Sequence, residues 1–476
     1  LTLYLRHVYV PAPWSIYEGI FKLEPGCLLQ IQGGEKISPP KEPLRAPAKL
    51  GNVRLRRWWA LSDVVEAGAR SQFADEGEAL GDLEARLKSA VKDQSLADVP
   101  LGACLSGGVD SSAIVAMLQQ QVSRPVRTFT VGFEEAGFDE SGHARAVARH
   151  LGTDHTDLFV TSAESRAVIP HLPRMYDEPF GDSSQIPTHL VCKAARQHVT
   201  VALSGDGGDE MFGGYNRYLW APRIWRKIGW ASIRFRDLLG AAMTAVPEKT
   251  LDGLARIASG VTRPGVNVHK LGERIKQTGS LDDLYRSLVS EWRQPLDLLS
   301  PSNESIVEPD SLLADRLPRS GVDDAVLRMM YWDSISYLPD DILCKVDRAA
   351  MAVSLETRVP FLDHRLVEAA WRLPLSMRVR DGQGKWALRQ LLYKHVPREL
   401  IERPKAGFAI PVGEWIRGPL NEWAEDLLDE GTLRAAGYLD PIPIRRIWKE
   451  HKSGRRDWTP KIWSVLMFQS WLAENS

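Results

Sequence analysis

Two glycine-rich segments of this sequence combine serines and aspartates in a pattern suited to binding phosphate. The first is Ser106-Gly107-Gly108-Val109-Asp110-Ser111-Ser112, and the second is Ser204-Gly205-Asp206-Gly207-Gly208-Asp209-Glu210. Glycines let the backbone approach an anion closely, and the N–H groups at the start of a helix form an anion site. Asp110 and Asp209 could together hold Mg²⁺, because Mg²⁺ prefers hard oxygen ligands that it shares with phosphate.

Two better-known phosphate loops do not fit the first segment. It has no Gly-Lys-Ser/Thr, which excludes a Walker A loop, and no G-x-G-x-x-G, which excludes a dinucleotide fingerprint. An ordinary glycine turn with a serine N-cap is the simpler alternative. Against it, the segment follows a predicted strand over Val99–Leu105 and opens a predicted helix over Asp110–Gln121. We therefore predict a phosphate-binding loop.

The elements around both segments alternate regularly between strand and helix, as in a parallel sheet. The apolar patterns predict strands over Val126–Phe133, Thr156–Val160 and Thr200–Leu203 besides Val99–Leu105, and helices over Glu78–Gln94, Ser141–Leu151, Ala163–Tyr176 and Ile186–His198 besides Asp110–Gln121. The predicted fold class is α/β, a doubly wound parallel sheet with a mainly helical C-terminal half. Ligands of such sheets bind beyond the carboxyl ends of the strands, where both glycine-rich loops emerge.

From Trp220 onward the sequence is mainly helical in pattern. Three helices are predicted there, over Ala325–Tyr337, Lys385–Lys394 and Pro443–Lys452, the last with its proline at the tolerated first position. Before residue 36 the pattern instead predicts short strands and turns.

Composition narrows the class of protein further. The 476 residues carry a net charge of −1, which does not suit nucleic-acid binding, and four widely spaced cysteines, as in a cytoplasmic enzyme. The basic cluster Arg223–Lys227 is interpreted as a solvated helix face. The longest apolar run, Leu238–Val246, is too short to span a membrane, so we expect no membrane partner.

The motifs themselves resemble known families. The first segment resembles the pyrophosphate loop of the ATP pyrophosphatases, whose sheet is of the adenine nucleotide alpha hydrolase-like kind. The second segment, continued by Met-Phe-Gly-Gly-Tyr, is similar to the corresponding segment of asparagine synthases. Three later segments resemble the bacterial version of that family in the same order, namely Ser354–Asp363, Arg403–Phe408 and Trp415–Leu420.

The resemblance implies a two-step reaction. ATP would bind between the two loops, with adenine against the strand end at Val131 and Gly132. The side-chain carboxylate of aspartate would attack the α-phosphorus, pyrophosphate would leave, and ammonia would convert the adenylate to asparagine and AMP. The residues implied to bind ATP and pyrophosphate are Leu105, Ser106, Gly107, Gly108, Val109, Asp110, Ser111, Ser112, Val131, Gly132, Ser204 and Gly205.

Catalytic roles follow from the same resemblance. Lys405, in a Pro-Lys-Ala-Gly segment, is the candidate for the main catalytic cation, with a solvent-facing lysine as the alternative. Asp206 takes the position of a family carboxylate, often Glu, that contacts the substrate and assists the attack of ammonia. Lys385, in Gly-Lys-Trp, is a second candidate for a phosphate contact.

Three further residues are placed around the amino-acid substrate. These are Asp341, Lys345 and Asp347, for which ion pairing along a helix is the alternative explanation. Glu356 and Arg358 would form an ion pair near the site, and a structural and a functional role are both left open for them.

The resemblance also divides the chain. Residues 1–48 resemble the end of a glutaminase domain followed by a linker. Residues 49–75 are then a connecting segment, and residues 76–476 are the synthetase domain. Glutamine-dependent members begin with a cysteine nucleophile, whereas position 1 is Leu and the first cysteine is Cys27. For the chain as given, we therefore expect ammonia-dependent synthesis without glutamine hydrolysis.

Two alternatives to asparagine synthesis stay open at this point. The chain could amidate another carboxylate, such as a sugar acid of surface polysaccharides, or close a ring. It could also be an inactive scaffold subunit that retains the fold. The expected partners are small molecules, and a homodimer is kept open as the oligomeric state.

Overall fold

The computed structural model describes residues 1–33, 38, 40–134, 141–246, 250, 264–301, 306–311, 322–402 and 410–475.

A small antiparallel sheet lies near the N-terminus. The small sheet consists of β1 (Cys27–Ile31), β2 (Ala48–Leu50) and β3 (Val53–Arg57), in the order β1-β3-β2. The prediction of strands and turns before residue 36 is correct for β1 but wrong for Thr2–His7, which form a helix whose apolar side chains are buried.

A five-stranded parallel sheet lies at the centre of the rest of the chain. Its strands are β4 (Leu101–Cys104), β5 (Arg127–Phe133), β6 (Asp154–Val160), β7 (Val201–Leu203) and β8 (Glu356–Arg358), in the order β6-β5-β4-β7-β8. All four strand pairs are parallel. The predicted fold class is confirmed. The predicted strands correspond to β4 to β7 with small shifts at their ends, while β8 was not predicted.

The order of the strands brings the two glycine-rich loops together. β4 and β7 are direct neighbours, with Leu101 opposite Val201 and Ala103 opposite Leu203. Since the strands are parallel, the loops that follow them leave the same edge of the sheet. A short hairpin, β9 (Val379–Arg380) with β10 (Gln383–Gly384), lies just before Lys385.

Helices make up most of the remaining described chain. In the first half they are Leu61–Arg70, Glu76–Gln94, Val109–Gln119, Ser141–Leu151, Ser162–Ala167, Leu172–Met175, Gln185–Arg196, Gly208–Phe212, Asn216–Ile228 and Ile233–Ala245. In the second half they are Pro264–Ile275, Leu281–Leu288, Ala325–Trp332, Cys344–Met351, His364–Trp371, Leu375–Arg378, Trp386–Leu392, Arg398–Ile401, Val412–Arg417, Asn421–Leu428, Glu430–Ala436, Pro441–Lys452 and Thr459–Asn475. Short 3₁₀ turns cover Ile169–His171, Pro295–Leu298 and Pro360–Leu362.

Three of the predicted helices differ from the observed ones. The prediction over Ala163–Tyr176 is interrupted by Pro170 and Pro173, since proline lacks the N–H that continues a helix. The last predicted helix begins at Pro441, capped by Asp440, so Pro443 is not at its first position. The helix that begins at Ala325 passes at Asp333 into a π-helical stretch, Asp333–Leu343.

Candidate active site

The two glycine-rich loops touch each other through positions that only glycine can fill. A Cβ atom at Gly205 would lie 2.7 Å from the backbone nitrogen of Ser111, and one at Gly208 would lie 2.5 Å from Oδ1 of Asp110. Real Cβ atoms do not approach other atoms so closely. The glycines of the second loop are therefore what allows it to pack on the start of the Val109–Gln119 helix.

Close packing and hydrogen bonds within the Ser106–Ser112 loop determine its shape. Gly107 has φ +71°, and a Cβ there would lie 2.8 Å from the backbone nitrogen of Ala144. The hydroxyl of Ser106 lies 3.0 Å from that of Ser111 and accepts the N–H of Gly108 at 3.3 Å. These bonds shape the turn before the helix, whose first N–H groups lack partners within the helix. This arrangement suits the terminal phosphates of a nucleotide.

Lys385 joins the two loops. Its ammonium group forms ion pairs with Asp110, at the start of the Val109–Gln119 helix, and with Asp209, whose Oδ1 lies 2.5 Å away. Burial alone would lower the pKa of Lys385, but the two carboxylates raise it above its ordinary value, so the lysine stays charged. A Cβ at Gly214 would lie 2.0 Å from Cε of Lys385, so this glycine opens the path for the side chain.

The same two carboxylates are the predicted magnesium ligands. Among the described residues, no group of three or more His, Cys, Asp or Glu side chains is arranged to hold a metal ion. Two convergent aspartates at a phosphate loop nevertheless fit Mg²⁺, which commonly takes one or two protein carboxylates and completes its shell with water and substrate phosphate. Asp110 and Asp209 converge on the single ammonium of Lys385, so their oxygens can also face one small cation.

A second buried lysine lies between two aspartates. Lys345 Nζ is 2.5 Å from Asp182 Oδ2 and 3.4 Å from Asp341 Oδ1. Burial and then the neighbouring Asp182 raise the pKa of Asp341 well above its ordinary value. Burial would also raise the pKa of Asp182, but Lys345 lowers it to about 2. Asp182 and Lys345 are therefore ionised, while ionisation of Asp341 is less favourable than for an exposed aspartate.

Asp206 lies between the two lysine groups. Its Oδ2 accepts a hydrogen bond of 2.8 Å from the hydroxyl of Ser204. Burial raises the pKa of Asp206, Lys345 lowers it and Asp209 raises it again. A buried carboxylate with a raised pKa is a stronger base than an exposed one, and the attack of an amine requires a base.

A cavity of about 310 Å³ adjoins the Lys345 group. Its walls include Asp182, Asp341, Tyr337 and Arg217, with His7 on the N-terminal side. Arg217 is held rigidly, because its guanidinium pairs with the fully buried Asp333 at 2.8 Å and lies 4.0 Å over the ring of Tyr215. The cavity could therefore receive the part of a substrate that extends from the Lys345 group.

Several predicted residues are brought together, and others are not. Asp341 and Lys345 face the same side of their helical segment, whereas the exposed Asp347 pairs with Arg348 at 2.8 Å and is not part of the group. Arg358 bonds Glu356 at 2.6 Å and the carbonyl oxygen of Leu96 at 2.6 Å. That pair therefore ties β8 to the end of a helix, which favours its structural interpretation.

Other predictions concern the nucleotide and the main catalytic cation. Val131 and Gly132 are buried near the end of β5, whose neighbour β4 leads into the first loop. Lys405 lies outside the described residues, as does the whole of the segment Arg403–Phe408 that resembles the family, so its role stays a prediction.

Asp182 was missed by the sequence analysis. It follows Glu178-Pro179-Phe180-Gly181 at no informative spacing, and its partner Lys345 lies 163 positions away. The Arg217–Asp333 pair was missed for the same reason. The only local signal was the Pro-Phe-Gly sequence, a turn that could present the carboxylate that follows it.

A parallel sheet with two glycine-rich loops at one edge defines an α/β nucleotide-binding protein of the alpha-hydrolase-like kind. The sequence model of the asparagine synthase family matches residues 82–473. The chain belongs to the asparagine synthase family, which uses ATP as a substrate.

Individual relatives agree with this assignment. A putative glutamine-hydrolysing asparagine synthetase of Mycobacterium tuberculosis H37Rv is 32% identical over 98% of this chain and 66% of its own length. Asparagine synthetase 1 of Bacillus subtilis 168 is 28% identical over 100% of the chain and 68% of its own length. The amidase chyE of Penicillium rubens is 24% identical over 90% of the chain and 64% of its own length. The chain thus spans about two thirds of the length of these relatives.

No helix in the described part of the chain is long and apolar enough to cross a bilayer.

Proposed function

We propose that this chain is an asparagine synthetase that adenylates the side-chain carboxylate of aspartate and amidates it with ammonia. The observation that carries the proposal is the junction of Asp110, Asp209 and Lys385 where the two glycine-rich loops meet. Displacement at phosphorus requires donors and cations placed where negative charge develops. Family membership and the asparagine synthetases among the relatives support it.

In the first step, a carboxylate oxygen of aspartate forms a bond to the α-phosphorus of ATP. The bond from that phosphorus to the bridging oxygen breaks, and pyrophosphate leaves with the electron pair. The Ser106–Ser112 loop is assigned to hold the pyrophosphate, with Lys385 and Lys405 as cations beside it. Asp110 and Asp209 would hold Mg²⁺, which when bound neutralises phosphate charge.

In the second step, ammonia attacks the carbonyl carbon of the adenylate and the bond to AMP breaks. The nitrogen must lose a proton, and Asp206 is assigned to accept it because burial raises its pKa. Lys345, with Asp182 and Asp341, is assigned to the charged groups at the other end of aspartate. Residues 1–48 are proposed to be the end of a glutaminase domain. Asp347, which is exposed and pairs with Arg348, is assigned no role at the substrate.

One observation favours a substrate carboxylate other than that of aspartate. The cavity of about 310 Å³ beside Asp182 and Asp341 offers room for an acceptor larger than aspartate. Amidation of such a carboxylate, a sugar acid among them, is therefore the second candidate function. Its chemistry at the two loops would be the same.

The test measures pyrophosphate and AMP release with ATP, Mg²⁺ and ammonium chloride. Release that requires aspartate supports the proposal, whereas release that requires another carboxylate supports the second candidate. We expect Asp110→Asn and Lys405→Met to lower the rate by about 10²-fold or more. Formation of ADP in place of AMP, or full activity of Asp110→Asn, would contradict adenylation at this site. Asp93→Asn, on an exposed side chain, serves as the matched control.

A further inference from the structure

One surface of the molecule exposes large apolar side chains next to basic ones. It is formed by the end of the Asn216–Ile228 helix, the turn after it and the Ile233–Ala245 helix. Trp230 is 81% exposed, Leu238 69% and Phe235 52%. We call this surface the basic–aromatic face, and its members are Arg223, Arg226, Lys227, Trp230, Ile233, Arg234, Phe235 and Leu238.

The apolar side chains cannot turn inward, because the opposite side of the helix is fixed. Arg236 is 4% exposed, and its guanidinium donates to the carbonyl oxygens of Thr278 at 3.0 Å and of Ala231. Gly240 packs so closely that a Cβ there would lie 2.5 Å from the carbonyl oxygen of Gly272. The helix thus buries an arginine and a glycine while it exposes a phenylalanine and a leucine.

The exposed aromatic residue in the turn is also held in place. The indole N–H of Trp230 donates to the carbonyl oxygen of Lys227 at 2.7 Å, at the end of the preceding helix. The indole ring of Trp230 is therefore held at the surface, and its one polar group is bonded to the protein.

Charge on this face has one sign. Residues 216–246 contain six basic residues and one acidic residue, although the whole chain has a net charge of −1. Arg217 and Arg236 are engaged inside the protein, which leaves the four bases of the face exposed. The acidic residue, Asp237, is half-buried and accepts the backbone N–H of Gln277 at 2.6 Å.

We propose that the basic–aromatic face docks on the surface of an anionic lipid bilayer. Tryptophan and phenylalanine insert at the level of the headgroups, while neighbouring lysines and arginines meet the lipid phosphates. Ile233 and Leu238 favour lipid over nucleic acid, because aliphatic side chains gain little from bases. The proposal departs from the sequence-based expectation of no membrane partner, which considered only whether an apolar run could span a bilayer.

Docking in this way would set the distance of the cavity from the membrane. Arg217, in the cavity wall, and Lys227, on the face, belong to the same helix and are ten residues apart. At 1.5 Å per residue, Arg217 in the cavity wall and Lys227 on the face are about 15 Å apart along this helix.

The test is co-sedimentation of the chain with vesicles of phosphatidylcholine alone, and with vesicles that contain about 30% phosphatidylglycerol. We expect binding to the anionic vesicles only, weakened at about 0.5 M NaCl because exposed charges are then screened. Trp230→Ser with Leu238→Ser, and separately Arg226→Glu with Lys227→Glu, should each weaken binding about tenfold or more.

The matched control is Leu29→Ser with Ile31→Ser, which removes exposed apolar side chains from β1. We expect it to bind like the parent protein, and the melting temperature of every variant checks that it is folded. Three results would overturn the proposal: no binding to anionic vesicles, equal loss of binding in the control, or a dimer in solution that the Trp230→Ser and Leu238→Ser changes dissociate. Displacement of the vesicles by a single-stranded oligonucleotide at low concentration would overturn it as well.

Discussion

Two buried lysines in this protein, Lys385 and Lys345, each lie between two aspartates, but the chain assembles the two groups differently. Lys345 and Asp341 are four residues apart on one helical segment, so local structure already brings them together. Lys385 meets Asp110 and Asp209 only because β4 and β7 are neighbours in the sheet. The Lys345 group thus has two of its three members on one helical segment, with Asp182 added by the fold, whereas the Lys385 group lies at the junction of two loops.

The protonation of the two groups points to different roles. In the Lys345 group, burial and Asp182 favour the protonated form of Asp341, so the lysine and Asp182 balance each other. In the Lys385 group, two carboxylates share one ammonium next to a loop that suits phosphate. We assign the Lys385 group to ATP and the Lys345 group to the acceptor, and the following changes can break or sharpen that division.

The largest expected effect belongs to Lys385→Met. It removes the cation between two partly buried carboxylates and should lower AMP formation by about 10³-fold, measured as pyrophosphate release at saturating acceptor. The apparent affinity for the acceptor should change little. Lys394→Met, at a position that is 48% exposed, is the control and should keep normal activity. A rate near normal for Lys385→Met would remove this lysine from the ATP site.

Lys345→Met should act on the acceptor instead. Loss of the ammonium leaves the partly buried Asp182 without its main counter-ion, and we expect the KM for the acceptor to rise about 10²-fold. Binding of ATP, measured by calorimetry, should stay within about twofold of the parent protein. Asp341→Asn is the milder companion change, since it resembles the protonated acid. Weakened ATP binding in Lys345→Met would contradict the division between the two groups.

Gly214→Ala tests the geometry of the Lys385 group without changing a charge. The new Cβ would lie 2.0 Å from both Lys385 Cε and Asp209 Oδ1, so both groups must shift. We expect kcat to fall about tenfold, because small displacements of catalytic groups are costly. Gly81→Ala is the control, since a Cβ there meets nothing within 4 Å. Equal kcat values for the two variants would argue against a tightly placed Lys385.

The smallest expected effect is on stability at acidic pH. Burial lowers the pKa of both His7 and His451 to about 4, so each imidazole is neutral in the folded protein. In the unfolded chain the histidines have an ordinary pKa near 6.5, so between pH 4 and pH 6.5 the unfolded state binds more protons than the folded state. The contribution of the two buried histidines to stability is therefore present above pH 6.5 and is lost as the pH falls towards 4. At pH 5 each histidine would cost about 2 kcal/mol relative to pH 7.

The measurement is the melting temperature at pH 7 and at pH 5. His7→Gln and His451→Gln should each reduce the drop between the two values. His364→Gln, on an exposed side chain, should leave the drop unchanged. A drop that none of these changes reduces would assign the acid sensitivity to the carboxylates.

Much of this protein could be predicted from local sequence patterns. The parallel sheet and the position of both glycine-rich loops were predicted, and ion pairing along a helix was the alternative left open for Asp341 and Lys345, because apolar periodicity, glycine and helical spacing act within a few residues of one another. The helix at Thr2–His7 and the break at Pro170 and Pro173 were missed, since tertiary burial and proline placement decided them.

Only the tertiary structure decided which distant side chains share a site. Asp110 and Lys385 are 275 positions apart, and Asp182 and Lys345 are 163 apart. No spacing in a sequence encodes such pairs, because they depend on how distant strands and helices pack in the fold. The same holds for the Ile233–Ala245 helix, whose composition permits either orientation. Its buried contacts from Arg236 and Gly240 determine that Phe235 and Leu238 face outward.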